Sequence, residues 1–517
     1  MADINKQQQL ASELASKLWA CANDLRGNMD ASEFKNYILG LIFYRYLSQK
    51  VENHFAEELK EDGITYEEAW NNEEYRQAIM DDSLDRLGYV IQPKYLFSNV
   101  IKMIEAGTFS IDYMEEIVNA ITESTQGQPS EDAFSDLFED MDLKSTKLGR
   151  EIKQRTRLIS NVLNTIDDIE FDYDDAEFDV LGTAYMTLIG NFASSAGKKG
   201  GEFYTPANMS KLVARLATVG LTDVLAVFDP ACGSGSLLLE VGNCCNVRNY
   251  YGQELNSSTY NLARMNMLLH NIDYPNFKIV NCDTLTDNTH FGDEPFEVQV
   301  ANPPYSLKWD SPIALLDDER YSTYGKLAPK SAADFAFVQT MIYHMKEGDS
   351  RVVVLLPHGV LFRGGAEEMI RKYMIKELNV LDAVVGLPAN CFQGTSIPVC
   401  CLVFKKERNG NSNNVCFIDA SKYYSAGKNM NYITDEDIDR IVDAYVERKD
   451  IDKFCHIASM DEIIENDYNL NIPRYVDTFE EEEPIDIPTV KANIAKHMEE
   501  SKAIDAELED YFKQLGI

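Results

Sequence analysis

The sequence is poor in positive charge. Of its 517 residues, 48 are Lys or Arg and 85 are Asp or Glu, which gives a formal net charge of −37. Such a surface repels phosphate groups, whereas basic side chains supply most of the nonspecific affinity of proteins for nucleic acids. Two interpretations follow: the substrate is not a nucleic acid, or a partner protein holds the nucleic acid for this chain.

Signals for membranes, secretion and zinc are missing as well. The longest apolar run, Tyr37 to Leu47, contains Arg45 and has about half the length that a bilayer span requires. The first six residues lack the apolar core of a signal peptide. The ten cysteines show no CxxC or Cys/His spacing suited to zinc. We therefore expect a cytoplasmic protein with reduced cysteines, no bound metal and no membrane association.

The chain is too long for one hydrophobic core, and its pattern divides it into four regions. Residues 1–170 look helical and acidic, which favours a domain that packs on the catalytic core or on a partner. Residues 171–410 alternate apolar strand-like runs with helical segments, which predicts an α/β domain with a doubly wound, mainly parallel sheet. Residues 411–483 are charged and mixed. Residues 484–517 can form an amphipathic helix that docks on its own protein or on a partner.

Polar residues follow several of the predicted strands. In a parallel sheet, ligands bind beyond the carboxyl ends of the strands. Asp229, Glu254, Asp283 and Asn302 each come directly after a strand-like run or within two residues of its end, so we expect them at one crevice. The seven predicted strands are 224–228, 249–253, 277–281, 296–300, 351–356, 381–385 and 398–404.

The strand that precedes Asn302 ends in Asn302-Pro303-Pro304-Tyr305. Two prolines there sacrifice backbone donors, which favours a carbonyl held towards a substrate. An exocyclic amino group on a base is a poor nucleophile until its nitrogen is bent towards tetrahedral geometry. The Asn302 side-chain oxygen and the Pro303 carbonyl can each accept one N–H, while Tyr305 stacks on the ring. The motif predicts methyl transfer to an amine-type nitrogen.

Roughly seventy residues earlier, the segment from Asp229 to Ser236 predicts a tight turn whose backbone N–H groups approach a ligand. Leu238 stands where the dinucleotide fingerprint has its third glycine, which disfavours a dehydrogenase. Glu254 can accept both hydroxyls of a ribose, which favours a nucleoside ligand over a purely structural turn. The candidate ligand-binding residues of the turn are Asp229, Gly233, Ser234, Gly235 and Ser236.

Two further segments point to the same ligand. Asp283 can accept a hydrogen bond from the adenine amino group of a cofactor, or can cap a helix. The Gly- and Lys-rich residues 197–201 do not form a Walker A loop, because the chain has no GxxxxGK[ST]. They read as a mobile segment before Phe203 and Tyr204, whose rings can face the sulfonium of S-adenosylmethionine or pack in the core.

Together these segments resemble the motif set of amino-group DNA methyltransferases, in the order of the class whose cofactor motifs precede the catalytic one. The chain is similar, nearly end to end, to the modification subunit of Type I restriction-modification systems. Further segments that carry the resemblance are 22–27, 37–40, 261–267, 328–330, 334–337, 363–367 and 466–470.

The resemblance implies N6-adenine methylation of double-stranded DNA with S-adenosylmethionine as methyl donor. It also implies a specificity subunit that reads the DNA site, a second modification subunit and a motor-nuclease subunit. The implied catalytic residues are Asn302, Pro303, Pro304 and Tyr305. The implied cofactor contacts are Glu202, Phe203, Tyr204, Thr205, Pro206, Ala207, Ser234, Gly235, Ser236 and Glu254.

The residues themselves support this division of labour. Only about 45 residues separate Tyr305 from Arg351, so no insertion there is large enough for a base-reading domain. Another protein must then hold the DNA, and the helix at 484–517 is a candidate docking surface for the specificity subunit. Two alternatives remain: methylation of a glutamine amide in a protein, which poses the same geometric problem, and an inactive scaffold subunit.

Overall fold

The computed structural model describes residues 11–20, 29, 31–169, 180–195, 204–292, 294–392, 395–428, 430–478 and 486–516. The chain divides into two compact units, Met1–Val476 and Asp477–Ile517. Within the described ranges, no helix has both the length and the apolar character needed to cross a bilayer.

Helices dominate the described residues between 31 and 195. The first of them buries apolar side chains at helical spacing, among them Ile38, Leu41 and Ile42. Thr65 starts the second helix with a capping box in which Glu68 is its partner. The helices are α1 (Ala31–Glu58), α2 (Tyr66–Asn71), α3 (Glu73–Arg86), α4 (Phe97–Glu105), α5 (Ile111–Glu123), α6 (Glu131–Phe134), α7 (Ile152–Asp167) and α8 (Val180–Ser195).

A mixed sheet follows, built from strands of the described residues. They are β1 (Asp223–Asp229), β2 (Asn246–Glu254), β3 (Phe277–Asn281), β4 (Val298–Ala301), β5 (Arg351–Pro357), β6 (Leu381–Gly386), β7 (Val399–Lys405), β8 (Asn414–Asp419), β9 (Ser425–Ala426), β10 (Asn431–Tyr432) and β11 (Cys455–Ser459). β1 pairs in parallel with β2 and β4, β2 with β3, β4 with β5, and β6 with β8. β7 and β11 run the other way. The nine strands of the sheet therefore lie in the order β11-β8-β6-β7-β5-β4-β1-β2-β3, and β9 and β10 form a separate pair.

The sheet confirms the predicted α/β class but is larger than predicted. All seven predicted strands are present, and β8 and β11 extend the sheet beyond residue 410, into the region read as a mixed extension. The apolar run of β8 is short and follows a polar loop, and β11 contains His and Ser. Their strand character depends on pairing with the existing sheet rather than on a clear sequence pattern.

Helices cover both faces of the sheet. Alternate side chains of β5 face opposite sides: Val353 and Leu355 lie in one core, Val352 and Val354 in the other. Each such side chain, fully buried, contributes about 1.5–3 kcal/mol. The helices of this part are α9 (Ala207–Thr218), α10 (Ser236–Cys244), α11 (Ser257–Leu269), α12 (Glu319–Ser322), α13 (Asp334–Tyr343), α14 (Ala366–Lys376), α15 (Asp435–Glu447) and α16 (Met460–Glu465).

The helical region and the sheet share one hydrophobic core, which includes side chains of α1, α9, α11 and β1. Polar contacts join the same parts. The Tyr46 hydroxyl donates to the Leu268 carbonyl at 2.7 Å, and the buried Arg264 donates through Nη1 to the Asp132 carbonyl at 2.9 Å. The helical region is therefore packed on the α/β part of the first unit.

The second unit contains the long helix α17 (Ile487–Leu515), which confirms the predicted C-terminal helix. It ends at Gly516, whose φ of 70° lies in the left-handed region that favours glycine. Exposed apolar side chains recur along it, among them Ile494, Ile504 and Leu508.

Candidate active site

The carboxyl ends of β1, β2, β3 and β4 meet at one edge of the sheet, because these strands are parallel neighbours. Asp229 ends β1, Glu254 ends β2, Asp283 follows β3 by two residues, and Asn302 comes directly after β4. The strand order reverses between β1 and β4, where open α/β sheets bind their ligands.

The turn after β1 is tightly fixed. Gly233 and Gly235 have φ values of 56° and 81°, which only glycine adopts readily. The Cys232 N–H donates to the Gln253 carbonyl of β2 at 2.9 Å. A Cβ on Gly235 would lie 2.7 Å from the Met267 methyl carbon, so a larger residue there would force the Met267 side chain to move.

Glu254 ties this turn to the end of β2. Its two carboxylate oxygens accept the Gly233 N–H at 3.0 Å and the Asn256 N–H at 2.8 Å. Burial raises the pKa of Glu254. Each oxygen keeps another lone pair, so the carboxylate can still accept the hydroxyls of a ribose.

The turn also contains a buried polar atom with no partner among the described residues. Ser234 is 1% exposed, and its Oγ makes no hydrogen bond. The Ser234 carbonyl accepts a hydrogen bond from Asn266 Nδ2 at 2.8 Å. Buried polar groups in proteins nearly always have partners, so an unpaired hydroxyl beside a glycine-rich turn fits a bound polar ligand.

Asp283 caps its own turn. Its Oδ1 accepts the Leu285 N–H at 3.1 Å and its Oδ2 accepts the Thr286 hydroxyl at 2.8 Å. These contacts are those of the capping alternative, and a contact to a cofactor adenine stays a prediction.

A group of possible metal ligands lies nearby. Ligand atoms of Cys282, Asp287 and His290 lie within 4.8 Å of one another, although Asp287 already accepts the Thr289 N–H.

Asn302 is held by two side chains. Its Nδ2 donates to the Thr205 hydroxyl at 3.0 Å, and its Oδ1 accepts the Tyr305 hydroxyl at 2.7 Å. Thr205 is buried, whereas Asn302 and Tyr305 are half-buried. The two bonds fix the carboxamide plane, with the oxygen on the Tyr305 side and the nitrogen on the Thr205 side. The structure thus joins Thr205, from the segment predicted to contact the cofactor, to the predicted catalytic motif.

The other members of these two segments differ in their surroundings. Pro303 is buried and Pro304 is exposed. Tyr204 packs on α8, since a Cβ on Gly190 would lie 3.0 Å from its hydroxyl. Pro206 precedes α9, which begins at Ala207. Glu202, Phe203 and the segment 197–201 lie outside the described residues.

An aromatic residue that sequence reasoning missed lies beside the motif. Phe392 belongs to the loop after β6, and its ring contacts the Tyr305 ring edge-on, with centroids 5.9 Å apart and planes at 83°. Burial raises the pKa of the Tyr305 hydroxyl well above its usual range, so the group remains a neutral donor to Asn302. β6 runs in the same direction as β4, so the loop after β6 lies at the same edge of the sheet as Asn302. This position after a predicted strand is the sequence signal that could have located Phe392.

The residue after the motif is anchored by a buried acid. Ser306 has φ 51°, and its N–H donates to Asp334 Oδ1 at 2.9 Å. Arg363 lies 3.4 Å from the other Asp334 oxygen and 3.2 Å from Glu367. This group of side chains holds the chain in a left-handed turn directly behind Tyr305, which fixes the direction in which the motif leaves the strand.

The strand order, the glycine turn with its acidic neighbour and the Asn-Pro-Pro-Tyr motif define an α/β methyltransferase that uses S-adenosylmethionine. The N-6 DNA Methylase family matches residues 176–484, and the HsdM N-terminal domain family matches residues 14–166. The chain belongs to the N-6 DNA methylase family, among the methylase subunits of type I restriction enzymes. It is an adenine-specific DNA methyltransferase.

Curated relatives and a solved structure match over most of this chain, one of them nearly end to end. The Type I restriction enzyme MpnII methylase subunit of Mycoplasma pneumoniae is 36% identical over 99% of this chain and 98% of its own. The MjaVIII methylase subunit of Methanocaldococcus jannaschii is 35% identical over 66% of this chain and 61% of its own. The crystal structure of a type I restriction-modification methyltransferase subunit from Streptococcus thermophilus has a TM-score of 0.84 and 42% identity, and covers 91% of this chain and 100% of that one.

Proposed function

We propose that this chain is the modification subunit of a type I complex. It transfers a methyl group from S-adenosylmethionine to N6 of adenine in a DNA site chosen by a separate specificity subunit. A second modification subunit and a motor-nuclease subunit complete the complex. The observation that carries the proposal is the hydrogen-bonded group of Thr205, Asn302 and Tyr305 at the reversal point of the strand order.

In the reaction, Asn302 and Pro303 hold the target amine. Asn302 Oδ1 accepts one bond from Tyr305 and has a lone pair left for one amino N–H. The Pro303 carbonyl accepts the other N–H, which aims the nitrogen lone pair at the methyl donor. The adenine must leave the duplex stack at a cost of a few kcal/mol, which the rings of Tyr305 and Phe392 offset in part.

The turn after β1 and the end of β2 hold the cofactor. When bound, S-adenosylmethionine supplies an activated methyl group on a sulfonium. Glu254 accepts the ribose hydroxyls, and the N–H groups and hydroxyls of residues 233–236 bind the remaining polar atoms. Leu255, which is 67% exposed next to Glu254, would supply an apolar contact for the cofactor base. Asp283 accepts the adenine amino group with lone pairs that its own turn leaves unused.

The other subunits of the complex supply most of the affinity for DNA. A net charge of −37 opposes binding to phosphate, and a duplex is held only where cations neutralise it. The exposed apolar side chains of α17 give the specificity subunit a helix face to pack against. A separate specificity subunit explains why this methyltransferase is acidic. It also explains why no insertion large enough to read bases lies between Tyr305 and Arg351.

Cofactor affinity should depend on pH through Asp229. Burial, followed by the charge of Glu254, raises the pKa of Asp229 to about 8. A cationic cofactor favours the ionised carboxylate and lowers this pKa, so binding releases a proton below about pH 8. We expect the affinity for S-adenosylmethionine to rise with pH up to about 8 and to level off above it. Calorimetry in buffers of different ionisation enthalpy measures the proton release.

Asp229→Asn is the matched control for this titration. Its side-chain oxygen can still accept the Ala231 N–H, which Asp229 Oδ1 accepts at 2.9 Å, so the turn should fold normally. In this variant the part of the pH dependence that is due to the Asp229 carboxylate should be lost. Proton uptake on cofactor binding, or the same pH profile in both proteins, would contradict the role of Asp229.

Transfer of a radiolabelled methyl group tests the proposed function. The chain, isolated with the subunits that co-elute with it, is given unmethylated duplex DNA or a protein extract as acceptor. We expect label in DNA as N6-methyladenine at one recurring bipartite site. Label in protein glutamine would instead show the amide methyltransferase, and absence of cofactor binding would show a scaffold.

A further inference from the structure

A small hairpin follows the carboxyl end of β8, at the edge of the sheet that carries the active site. Residues 422–432 form this hairpin, in which β9 pairs antiparallel with β10, and residue 429 lies outside the described ranges. The Gly427 N–H donates to the Met430 carbonyl at 3.1 Å and closes the turn. No sequence pattern predicted it.

One side of the hairpin is bonded to the loop that carries Phe392. The Asn431 N–H donates to the Asn390 carbonyl at 2.8 Å, and Asn431 Nδ2 donates to the Ala389 carbonyl at 2.9 Å. Phe392, two residues further along this loop, contacts the Tyr305 ring. The hairpin therefore stands next to the proposed pocket for the target base.

The base of the hairpin is also fixed on the other side. Asn208 Nδ2 donates to the Ile433 carbonyl at 3.4 Å, and Asn208 lies three residues after Thr205, the partner of Asn302. The ring of Tyr423 packs against two side chains. Its centroid lies 4.4 Å from the guanidinium carbon of Arg440 and 4.9 Å from the ring centroid of Phe454. One end of the hairpin is thus bonded close to Thr205, and the other end packs on α15 and on Phe454, which precedes β11.

The outer surface of the hairpin differs from the rest of this acidic chain. Residues 420–433 include no Asp or Glu, although the chain has 85. Tyr424 and Tyr432 are 44% and 47% exposed, and Lys428 at the turn is exposed and forms no ion pair with a described residue. Two of the acids that follow pair with α9: Asp435 lies 2.7 Å from Lys211, and Asp439 pairs with Arg215.

We propose that the hairpin binds the sugar–phosphate backbone of duplex DNA beside the flipped adenine. Lys428 neutralises one phosphate, and the hydroxyls of Tyr424 and Tyr432 donate hydrogen bonds to phosphate oxygens. This inference rests on the proposed DNA methylation. It gives the modification subunit its own contact with the strand that carries the target base, additional to the grip of the specificity subunit.

Steady-state methylation of a duplex that contains the mapped site, by the complex as isolated, tests the proposal. Lys428→Ala should raise the KM for DNA roughly fivefold at about 0.15 M salt and lower the slope of log KM against log salt by about 0.9, which is the loss of one phosphate contact. Lys428→Arg should restore both values. The double variant Y424F/Y432F should raise the KM for DNA several-fold with kcat and cofactor affinity unchanged.

Lys376→Ala is the matched control. Lys376 is an exposed lysine at the end of α14, and α14 leads into the start of β6, at the opposite edge of the sheet. An unchanged KM and salt slope in Lys428→Ala would overturn the proposal, and so would loss of co-eluting subunits, which would show a protein contact. If the unaltered complex transferred no methyl group to DNA, the proposed function itself would fail.

Discussion

Replacing Asn302 by Ala should abolish methyl transfer, with a fall in kcat of about 10³-fold or more. The Asn302 carboxamide supplies an oxygen that must meet the target N–H, and no other described side chain bonded to Thr205 or Tyr305 takes its place. Single-turnover transfer of a labelled methyl group measures the loss. Cofactor affinity, measured by calorimetry, should be nearly unchanged, because Asn302 has its hydrogen bonds with Thr205 and Tyr305 and makes none with the turn after β1 or with Glu254.

Tyr305→Phe is the control for that experiment. It removes the hydroxyl that donates to Asn302 Oδ1 at 2.7 Å but keeps the ring against Phe392. We expect kcat to fall about tenfold, since one orienting hydrogen bond is lost while the carboxamide remains. Thermal unfolding separates catalysis from stability, because Asn302→Ala also leaves the Tyr305 hydroxyl without this acceptor, at a cost of about 1–3 kcal/mol. Normal methylation by Asn302→Ala would contradict the proposed mechanism.

The central strands could be predicted because their environment is simple. β4, β5, β6 and β7 are buried on both faces, so their sequences are mostly apolar, with Gln299 and Asp382 as interior exceptions. Each run ends at a polar residue or a turn former, which located the crevice. Parallel pairing then followed from the alternation of strands with helical segments.

β8, β11 and the hairpin could not be predicted in the same way. β8 joins the sheet only because β6 offers it a parallel edge, and β11 then pairs with β8. The strands of the hairpin have two residues each, too few to show a period. Long-range pairing determines all of them, and it leaves little trace in the local sequence.

The active site shows the same division. The strand-end position placed Asn302 and Glu254 at one edge, and the family resemblance drew attention to Thr205. The bond between Asn302 and Thr205 joins residues 97 positions apart, and no local pattern encodes it. Phe392 was missed because a single aromatic residue in a loop is not distinctive. Asp283 and Tyr204 have structural partners of their own, so their contacts with the cofactor stay predictions.

Replacing Glu254 by Ala should weaken the binding of S-adenosylmethionine by about 100-fold. Two losses add up: the acceptor for the ribose hydroxyls, and the anchor for the Gly233 N–H at 3.0 Å, which fixes the turn that surrounds the cofactor. At saturating cofactor, kcat should recover to within a few-fold of its normal value, because Asn302 and Tyr305 are untouched. Calorimetry and the KM for the cofactor measure the effect.

Glu254→Gln separates the two losses. Its single side-chain oxygen can accept the Gly233 N–H or the Asn256 N–H but has no negative charge, so we expect a fall in affinity of about tenfold. The unfolding temperature of each cofactor-free variant shows how far the turn itself has loosened. If Glu254→Ala bound S-adenosylmethionine normally, the carboxylate would serve only to bond the turn after β1 to the end of β2. Other groups at that edge of the sheet would then have to bind the ribose.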